Sequence, residues 1–239
     1  MIWSYGVTTV PSRFQDLLPR TLASLAKTGF DEPRLFIDGK PEQVFPAHLL
    51  RYAPVIRYPA IRIVGNWILS AWELYIREPE ADRYAIFQDD IVTCLNLREF
   101  LERSPFPKDG YLNLSTHPTN EKMGKGWVKS NQCGKGALAL VFDNDGLKAL
   151  LGSPYLVGKV SNTTVAIGAT YPGGQTSVDG AIVTAMKLAK RREYIHNPSL
   201  VQHTGYVSAM RNRPQPAIRT FSGEEFDALS LFHIPSPCD

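Results

Sequence analysis

Long apolar stretches are absent from this chain of 239 residues, and cysteine is scarce. No run of about 18 apolar residues occurs, so the sequence offers no candidate membrane-spanning helix. The segment from Met1 to Arg13 has neither the basic start nor the apolar core of a secretion signal, and we expect a soluble, cytoplasmic protein. The three cysteines, Cys94, Cys133 and Cys238, are odd in number and widely separated, which argues against a disulfide framework and a CxxC zinc site.

A strong net charge of either sign is also missing. The formal charge is +3 and the pI is near 8.7, with short basic clusters at residues 190–192 and 211–213. This balance suits an anionic small-molecule ligand such as a phosphate, and a nucleic-acid partner is compatible with it but not indicated. The composition is otherwise that of a globular protein, with 44% hydrophobic and 21% charged residues, which is enough for one substantial core.

Strand and helix patterns alternate in the first part of the chain. The predicted elements are strands at 2–10, 34–39, 55–59 and 84–92 and helices at 12–29 and 66–79. Such alternation predicts an α/β fold with a mostly parallel central sheet flanked by helices. Beyond residue 92 the pattern is mixed. The strands predicted at 110–115 and 136–142 are separated by a loop rather than by a clear helix, and helices follow at 144–153 and 177–192.

Two adjacent acids, Asp89 and Asp90, lie at the end of a buried apolar run that opens with Tyr84. Buried carboxylates are costly unless they are paired or bound to a cation. In a parallel α/β sheet, ligands collect at the carboxyl ends of strands, where this sequence also places Thr8, Thr9 and Asp38. Such an acid pair is suited to Mg²⁺ or Mn²⁺ shared with a substrate diphosphate. The alternative is that one acid caps a turn and the other faces solvent.

The ordered set of motifs resembles the metal-dependent glycosyltransferases of the GT-A fold, over roughly residues 1–205. In that family a sugar nucleotide binds the N-terminal half, and an acidic motif written DxD or EDD holds a divalent ion against the diphosphate. The sequence FQDDI looks like the EDD version found in N-acetylglucosaminyltransferases. The resemblance implies that Asp90 binds Mn²⁺ or Mg²⁺ and that Asp89 lies beside the nucleotide. Gln88 stands where that motif has an acid, which removes one charge.

Two further stretches resemble the nucleotide-binding part of the family. Residues 5–13 resemble the first strand and loop, which implies that Thr8, Thr9 and Arg13 meet base, ribose or phosphate. A cap from Ser12 with a solvated Arg13 is the alternative. The end of the second strand resembles the position whose acid, here Asp38, bonds uracil or ribose, and a simple Asp-Gly turn is the alternative there.

Three later stretches complete the resemblance. Residues 132–140 resemble the glycine-bearing loop beside the donor sugar, where Gly134 and Gly136 would let backbone approach the ligand, although such glycines often only turn the chain. Asp179 matches the catalytic base of inverting members, against an alternative of helix-dipole complementation. His203 matches a histidine that ligates the metal, against an alternative of a buried hydrogen-bonded histidine.

The resemblance implies one GT-A-like domain at 1–205, with a nucleotide-binding half at 1–92 and an acceptor and catalytic half at 93–205. A C-terminal extension, 206–239, is expected to pack on it. The implied activity is that of an inverting glycosyltransferase (EC 2.4 type), which moves a sugar from a nucleotide-diphosphate donor, in expectation a UDP-sugar, to a hydroxyl-bearing acceptor of unknown class.

Two other functions stay open from the sequence. A nucleotidyltransferase of related fold would usually carry a Gly- and basic-rich loop near the N-terminus, which residues 7–16 lack. An inactive sugar-nucleotide or glycan-binding module is favoured by Gln88. Trp127, in a predicted glycine-rich loop, is a candidate for stacking on a sugar or another acceptor.

Overall fold

The computed structural model of the protein describes residues 1–40, 45–157, 178–205 and 218–233. Its strands are β1 Trp3–Thr9, β2 Arg34–Asp38, β3 Val55–Arg57, β4 Arg83–Gln88, β5 Ile91–Thr93, β6 Gly110–Asn113, β7 Gly126–Lys129, β8 Ala139–Asp143, β9 Arg192–Asn197 and β10 Val201–His203. Its helices are α1 Leu17–Ala26, α2 Arg62–Arg77, α3 Leu97–Arg103, α4 Asn144–Leu151, α5 Pro154–Val157 and α6 Val178–Leu188. The basic cluster at 211–213 and Cys238 lie outside the described residues.

Eight strands form one sheet in the order β3-β2-β1-β4-β8-β6-β9-β7, and β5 pairs with β10 in a separate antiparallel ribbon. The strands β3, β2, β1 and β4 are mutually parallel, as are β6 and β9. β8 is antiparallel to both of its neighbours, and β7 is antiparallel to β9. Six of the eight strands therefore run in one direction. This confirms the predicted mostly parallel α/β sheet with a mixed second half, the arrangement expected of a GT-A-like domain.

Two apolar layers cover the two faces of the sheet. Successive residues of a strand point to opposite faces, so Ala85 and Phe87 of β4 join one layer while Tyr84 and Ile86 join the other. The helices α1 and α3 cover the first layer, and α2, α4 and α6 cover the second. Within the described residues, no helix is both long and apolar enough to cross a membrane.

α1 begins later than predicted. Pro11–Arg13 forms one turn of 3-10 helix, and Asp16 caps α1 by accepting a hydrogen bond from Leu17 N at 2.6 Å. The turn leaves Arg13 buried beside the end of β1. The alternative in which Ser12 caps the helix and Arg13 is solvated is therefore wrong.

β7 lies inside the stretch that was predicted to be a loop, and it pairs with β9 at the edge of the sheet. The ring of Trp127 stacks on Phe100, with centroids 6.3 Å apart and an interplanar angle of 23°. It also meets His196 edge-on at 5.0 Å. The structure therefore corrects the ligand-stacking interpretation of Trp127, because the ring packs within the protein.

The described residues 218–233 run back along the domain. Ile218 N donates to Gln202 Oε1 of β10 at 3.2 Å, and Arg20 of α1 pairs with Glu224 at 2.7 Å. This stretch therefore packs against β10 and α1, close to the ribbon that carries His203.

Candidate active site

The chain turns at the end of β4, and this turn contains the acid pair. Asp89 and Asp90 connect β4 to β5, and β5 pairs with β10 so that Ile91 lies opposite His203. Thr204 N donates to Asp90 O at 2.7 Å, which fixes the end of β10 on the turn. The ribbon therefore brings His203 beside an acid that precedes it by 113 residues.

Five side chains meet at this turn. Arg13 Nη1 donates to Asp89 Oδ1 at 3.1 Å and to Asp90 Oδ2 at 2.6 Å. Thr9 Oγ1 donates to the other oxygen of Asp89, Oδ2, at 2.6 Å. His203 Nε2 lies 3.1 Å from Asp90 Oδ2. The structure thus brings together most of the side chains predicted to handle metal and nucleotide, and their assigned roles remain predictions.

Burial and charge act in opposite directions on these groups. Burial raises the pKa of Asp89 to about 6, although the Arg13 guanidinium opposes the shift. Burial also acts to raise the pKa of Asp90, but His203 and Arg13 outweigh it and hold that pKa below its usual value. The two aspartates overcome the opposing effect of burial on Arg13 and raise its pKa. The pKa of Asp90 therefore lies below that of Asp89, and Asp90 is the stronger acid of the pair.

One edge of this cluster has open ligand atoms. Asp90 Oδ1 and Thr204 Oγ1 are both buried, and neither has a hydrogen-bond partner in the part of the chain that the structure describes. Asp90 Oδ2 and His203 Nε2 lie 3.1 Å apart and are hydrogen-bonded to each other, so a divalent ion held by both would have to replace that contact. An unpaired buried carboxylate oxygen is the ligand type that Mg²⁺ and Mn²⁺ prefer, and Asp90 Oδ1 fits such an ion in this respect. The described residues contain no group of three acidic, histidine or cysteine ligands, so most ligands would have to come from substrate or water.

Two other predicted nucleotide contacts lie along the same edge. Thr8 Oγ1 donates to Phe87 O at 3.4 Å, on the β4 side of β1. Asp38 Oδ1 accepts from Ile61 N at 2.7 Å and so ties the end of β2 to the start of α2. Gly39 follows with a φ of +108°, as in the Asp-Gly turn that was the alternative for this position. A nucleotide contact by Asp38 stays a prediction.

The glycine loop packs on the first turn of α6. Gly136 N and Ala137 N donate to Asp179 Oδ2 at 2.8 and 3.3 Å. Gly134 has a φ of +66°, and a Cβ there would lie 2.7 Å from the Cα of Gly180. The loop therefore needs glycine for its contact with α6. Burial raises the pKa of Asp179, and the two backbone N–H groups only partly oppose that shift.

Gln88 joins the acid turn to this glycine loop, a role that the sequence did not suggest. Its Nε2 donates to Ala137 O at 3.0 Å, and its backbone N donates to Leu138 O at 2.8 Å. A glutamate at this position would have no proton for the carbonyl oxygen. The sequence could have indicated this role, because Gln88 replaces an acid of the motif, and an amide can donate a hydrogen bond where a carboxylate cannot.

We expect Gln88→Glu to lower the free energy of unfolding by about 1–3 kcal/mol, because it places a carboxylate against Ala137 O without a donor. Urea unfolding measures this. Gln202→Glu is the matched control, since Gln202 Oε1 only accepts a hydrogen bond from Ile218 N and a carboxylate still accepts it. The control is expected to stay within about 0.5 kcal/mol of the parent. Equal stability of both variants would show that the amide contact contributes nothing.

Tyr58 is a second residue that the sequence did not single out. It follows β3 directly and is 75% exposed. Because β3, β2, β1 and β4 are parallel, Tyr58 lies at the same edge of the sheet as Asp38 and the acid pair. The sequence could have indicated Tyr58 as a candidate for ligand contact, because it is an aromatic residue immediately after a predicted strand, and ligands collect at the carboxyl ends of parallel strands.

No protein-family model matches the chain, and no curated protein matches it. Solved structures do resemble its fold. The catalytic domain of Drosophila beta1,4galactosyltransferase 7, in complex with xylobiose, is 12% identical, with 98% of this chain and 82% of that chain covered and a TM-score of 0.46. A mutant of that enzyme in complex with manganese, UDP-Gal and xylobiose is 10% identical, with 100% and 82% covered and a TM-score of 0.40.

Two further solved structures also resemble the fold. S. aureus TarS is 11% identical, with 86% of this chain and 37% of that chain covered and a TM-score of 0.47. A cytidylyltransferase from Leptospira borgpetersenii is 11% identical, with 98% and 93% covered and a TM-score of 0.45. These neighbours thus include a galactosyltransferase and a cytidylyltransferase. All four TM-scores are below 0.5, so the function proposed below rests on the geometry of this chain.

Proposed function

We propose that the protein is a glycosyltransferase that moves a sugar from a nucleotide-diphosphate donor, in our proposal a UDP-sugar, to a hydroxyl group of an acceptor. The observation that carries the proposal is the buried cluster of Arg13, Asp89, Asp90 and His203 at the carboxyl edge of a mostly parallel sheet. Its open atom, Asp90 Oδ1, faces no partner among the described residues. Such a cluster suits a ligand that brings both phosphate and a cation.

The carboxyl edge of the parallel strands is as long as an extended nucleotide. From β4 to β3 there are three strand spacings, or about 14 Å. We place the diphosphate at Arg13 and Asp90, the ribose near Thr9 and Asp38, and the base toward the exposed ring of Tyr58. A ring with a free face stabilises a planar base by stacking, which supports this direction of binding.

The metal in this proposal is Mn²⁺ or Mg²⁺, held by Asp90 and His203. When bound, such an ion neutralises the charge that develops on the leaving diphosphate. Arg13 adds a positive charge to the same place, and guanidinium groups bind phosphate well. Asp89 stays bonded to Thr9 Oγ1 and Arg13, and so keeps the guanidinium at the end of β1.

Asp179 is the proposed general base. Its carboxylate is oriented by Gly136 N and Ala137 N, and burial raises its pKa toward the working range of a base. A single base that takes the proton of the attacking hydroxyl on the face opposite the leaving group gives inversion at the sugar carbon. The side chain of Gln88, which directly precedes the acid pair, donates to Ala137 O in the same loop. The loop that orients the base is therefore connected to the proposed metal site.

Incubation with a panel of nucleotide sugars tests the proposal. We expect release of UDP from one UDP-sugar when manganese and a hydroxyl acceptor are both present. Formation of pyrophosphate from a nucleoside triphosphate and a sugar phosphate would instead make the protein a nucleotidyltransferase. Binding of a UDP-sugar without turnover, across acceptors that include glycans, peptides and small alcohols, would favour a binding module.

A further inference from the structure

The position between the two acids is already occupied by a side chain. Arg13 contacts both carboxylates through the same nitrogen, Nη1, which lies 3.1 Å from Asp89 Oδ1 and 2.6 Å from Asp90 Oδ2. Arg13, Asp89 and Asp90 are 8%, 6% and 5% exposed, so water screens these contacts little. The guanidinium is therefore the resident counter-ion of the acid pair.

This counter-ion affects what the acid pair can bind. Arg13 contacts both carboxylates and His203 contacts Asp90, so the negative charge of the acid pair is already partly balanced before any ion binds. A divalent ion at Asp90 would meet the repulsion of Arg13 a few ångströms away, and Asp90 Oδ2 is shared between Arg13 and His203. Without Arg13, the two adjacent buried carboxylates would keep only His203 and Thr9 as partners and would bind a cation more strongly.

A nucleotide diphosphate changes this balance. Its oxygens are strong acceptors for a guanidinium, and Arg13 lies at the end of β1, directly beside the place proposed for the phosphates. A guanidinium that turns toward phosphate releases Asp90 Oδ2 and reduces the repulsion at the metal site. The diphosphate also supplies the oxygen ligands that the described residues lack.

We propose that Arg13 gates the metal site: the guanidinium holds Asp90 in the free protein, and a divalent ion binds tightly only when a nucleotide diphosphate has engaged Arg13. The inference rests on the proposed function in one respect, namely that the protein binds a nucleotide diphosphate at this edge. Metal and nucleotide then bind with positive coupling, and each raises the affinity of the other by the same factor.

Manganese binding tests the gate without any measurement of activity. Free Mn²⁺ is followed by electron paramagnetic resonance in titrations of the parent, Arg13→Met, Arg13→Lys and Arg20→Met, each with and without UDP. In the parent, UDP is expected to strengthen Mn²⁺ binding at least about tenfold, within the usual range of coupling between sites. Arg13→Met is expected to bind Mn²⁺ at least about tenfold more tightly than the parent when UDP is absent, and to gain much less from UDP.

The other two variants are controls. Arg20→Met removes the same charge from α1, where Arg20 is paired with Glu224 and its side chain is 55% exposed, and it is expected to bind Mn²⁺ like the parent. Arg13→Lys keeps a positive charge at the acid pair and is expected to bind Mn²⁺ more weakly than Arg13→Met when UDP is absent. If Arg13→Met does not fold, as judged by circular dichroism, Arg13→Gln replaces it with the same expectation.

Two results would overturn the gate: equal Mn²⁺ affinity of the parent and Arg13→Met without UDP, or equal affinity of the parent with and without UDP. Failure of the proposed function gives a different result. In that case the parent binds neither UDP nor UDP-sugars with or without Mn²⁺, which overturns the donor site and the gate together. If the parent binds UDP but either of the first two results is obtained, only the role given to Arg13 is wrong and the donor site is retained.

Discussion

Asp90→Asn is expected to abolish manganese-dependent binding of UDP and UDP-sugars while the protein stays folded. The change removes the charge that faces the cation and converts one carboxylate oxygen into an amide nitrogen, which cannot ligate a metal ion. We expect the affinity for UDP in the presence of Mn²⁺ to fall by at least about 100-fold, more than is usual for loss of a residue that only supports a ligand. Isothermal titration calorimetry with and without Mn²⁺ measures it.

The fold is expected to survive this change because Arg13 keeps a partner. Its Nη1 still reaches Asp89 Oδ1 at 3.1 Å, and Asp89 remains bonded to Thr9. Asp227→Asn is the matched control, since the Asp227 carboxylate accepts from Asn96 Nδ2 and Leu229 N, away from the acid pair, and an amide oxygen can still accept. A folded Asp90→Asn variant with the manganese-dependent UDP affinity of the parent would show that Asp90 does not hold the metal.

The parallel half of the sheet could be predicted because its signals are local. Apolar β-branched segments, a helix with leucine at regular spacing and acids at strand ends all lie within short windows of sequence. Asp38 is the last residue of β2 and Asp89 directly follows β4, so a parallel sheet was enough to place both at one edge. The α/β class and the position of the acids follow from the same reasoning.

The contacts within the site depend on longer-range pairing and could not be derived from spacing. His203 reaches Asp90 only because two strands of three residues, β5 and β10, form a ribbon, and strands that short have almost no pattern of their own. β7 was missed for the same reason. The resemblance to GT-A enzymes implied a role for His203. It did not indicate that the Arg13 guanidinium would contact both Asp89 and Asp90.

Gln88 shows how an apparent defect in a motif acquired a structural explanation. In the sequence, Gln88 replaces an acid of the motif, and this loss of a negative charge favoured an inactive module. In the structure its amide donates to Ala137 O and thereby holds the glycine loop from the side of the acid turn. The charge that is missing at Gln88 is therefore exchanged for a hydrogen bond that an acid cannot make.

Asp179→Asn is expected to reduce sugar transfer by about 10²- to 10⁴-fold, the usual cost of losing general-base assistance, with UDP affinity within a few-fold of the parent. The structure makes this substitution selective. An asparagine can still offer its amide oxygen to Gly136 N and Ala137 N, so the loop keeps its position. What the variant cannot do is accept the proton of the attacking hydroxyl.

Asp179→Ala separates the chemical role from the structural one. It leaves Gly136 N and Ala137 N without their acceptor and is expected to cost about 1–3 kcal/mol in the free energy of unfolding, in addition to the loss of transfer. If Asp179 only holds the loop, Asp179→Asn will transfer sugar at close to the parent rate and only the alanine variant will fail. That pattern would contradict the assignment of Asp179 as the base.

The pH dependence gives an independent check on Asp179. A base works only when it is deprotonated, and burial raises the pKa of this carboxyl, so the parent is expected to lose kcat as the pH falls through that raised pKa. Asp179→Asn should lose this decrease and keep only the one that follows protonation of Asp89, whose pKa is raised to about 6, whereas a purely structural aspartate would leave the profile of the asparagine variant like that of the parent. The anomer of the product completes the test, because a product with the configuration of the donor would mean retention, which a single base at Asp179 does not explain.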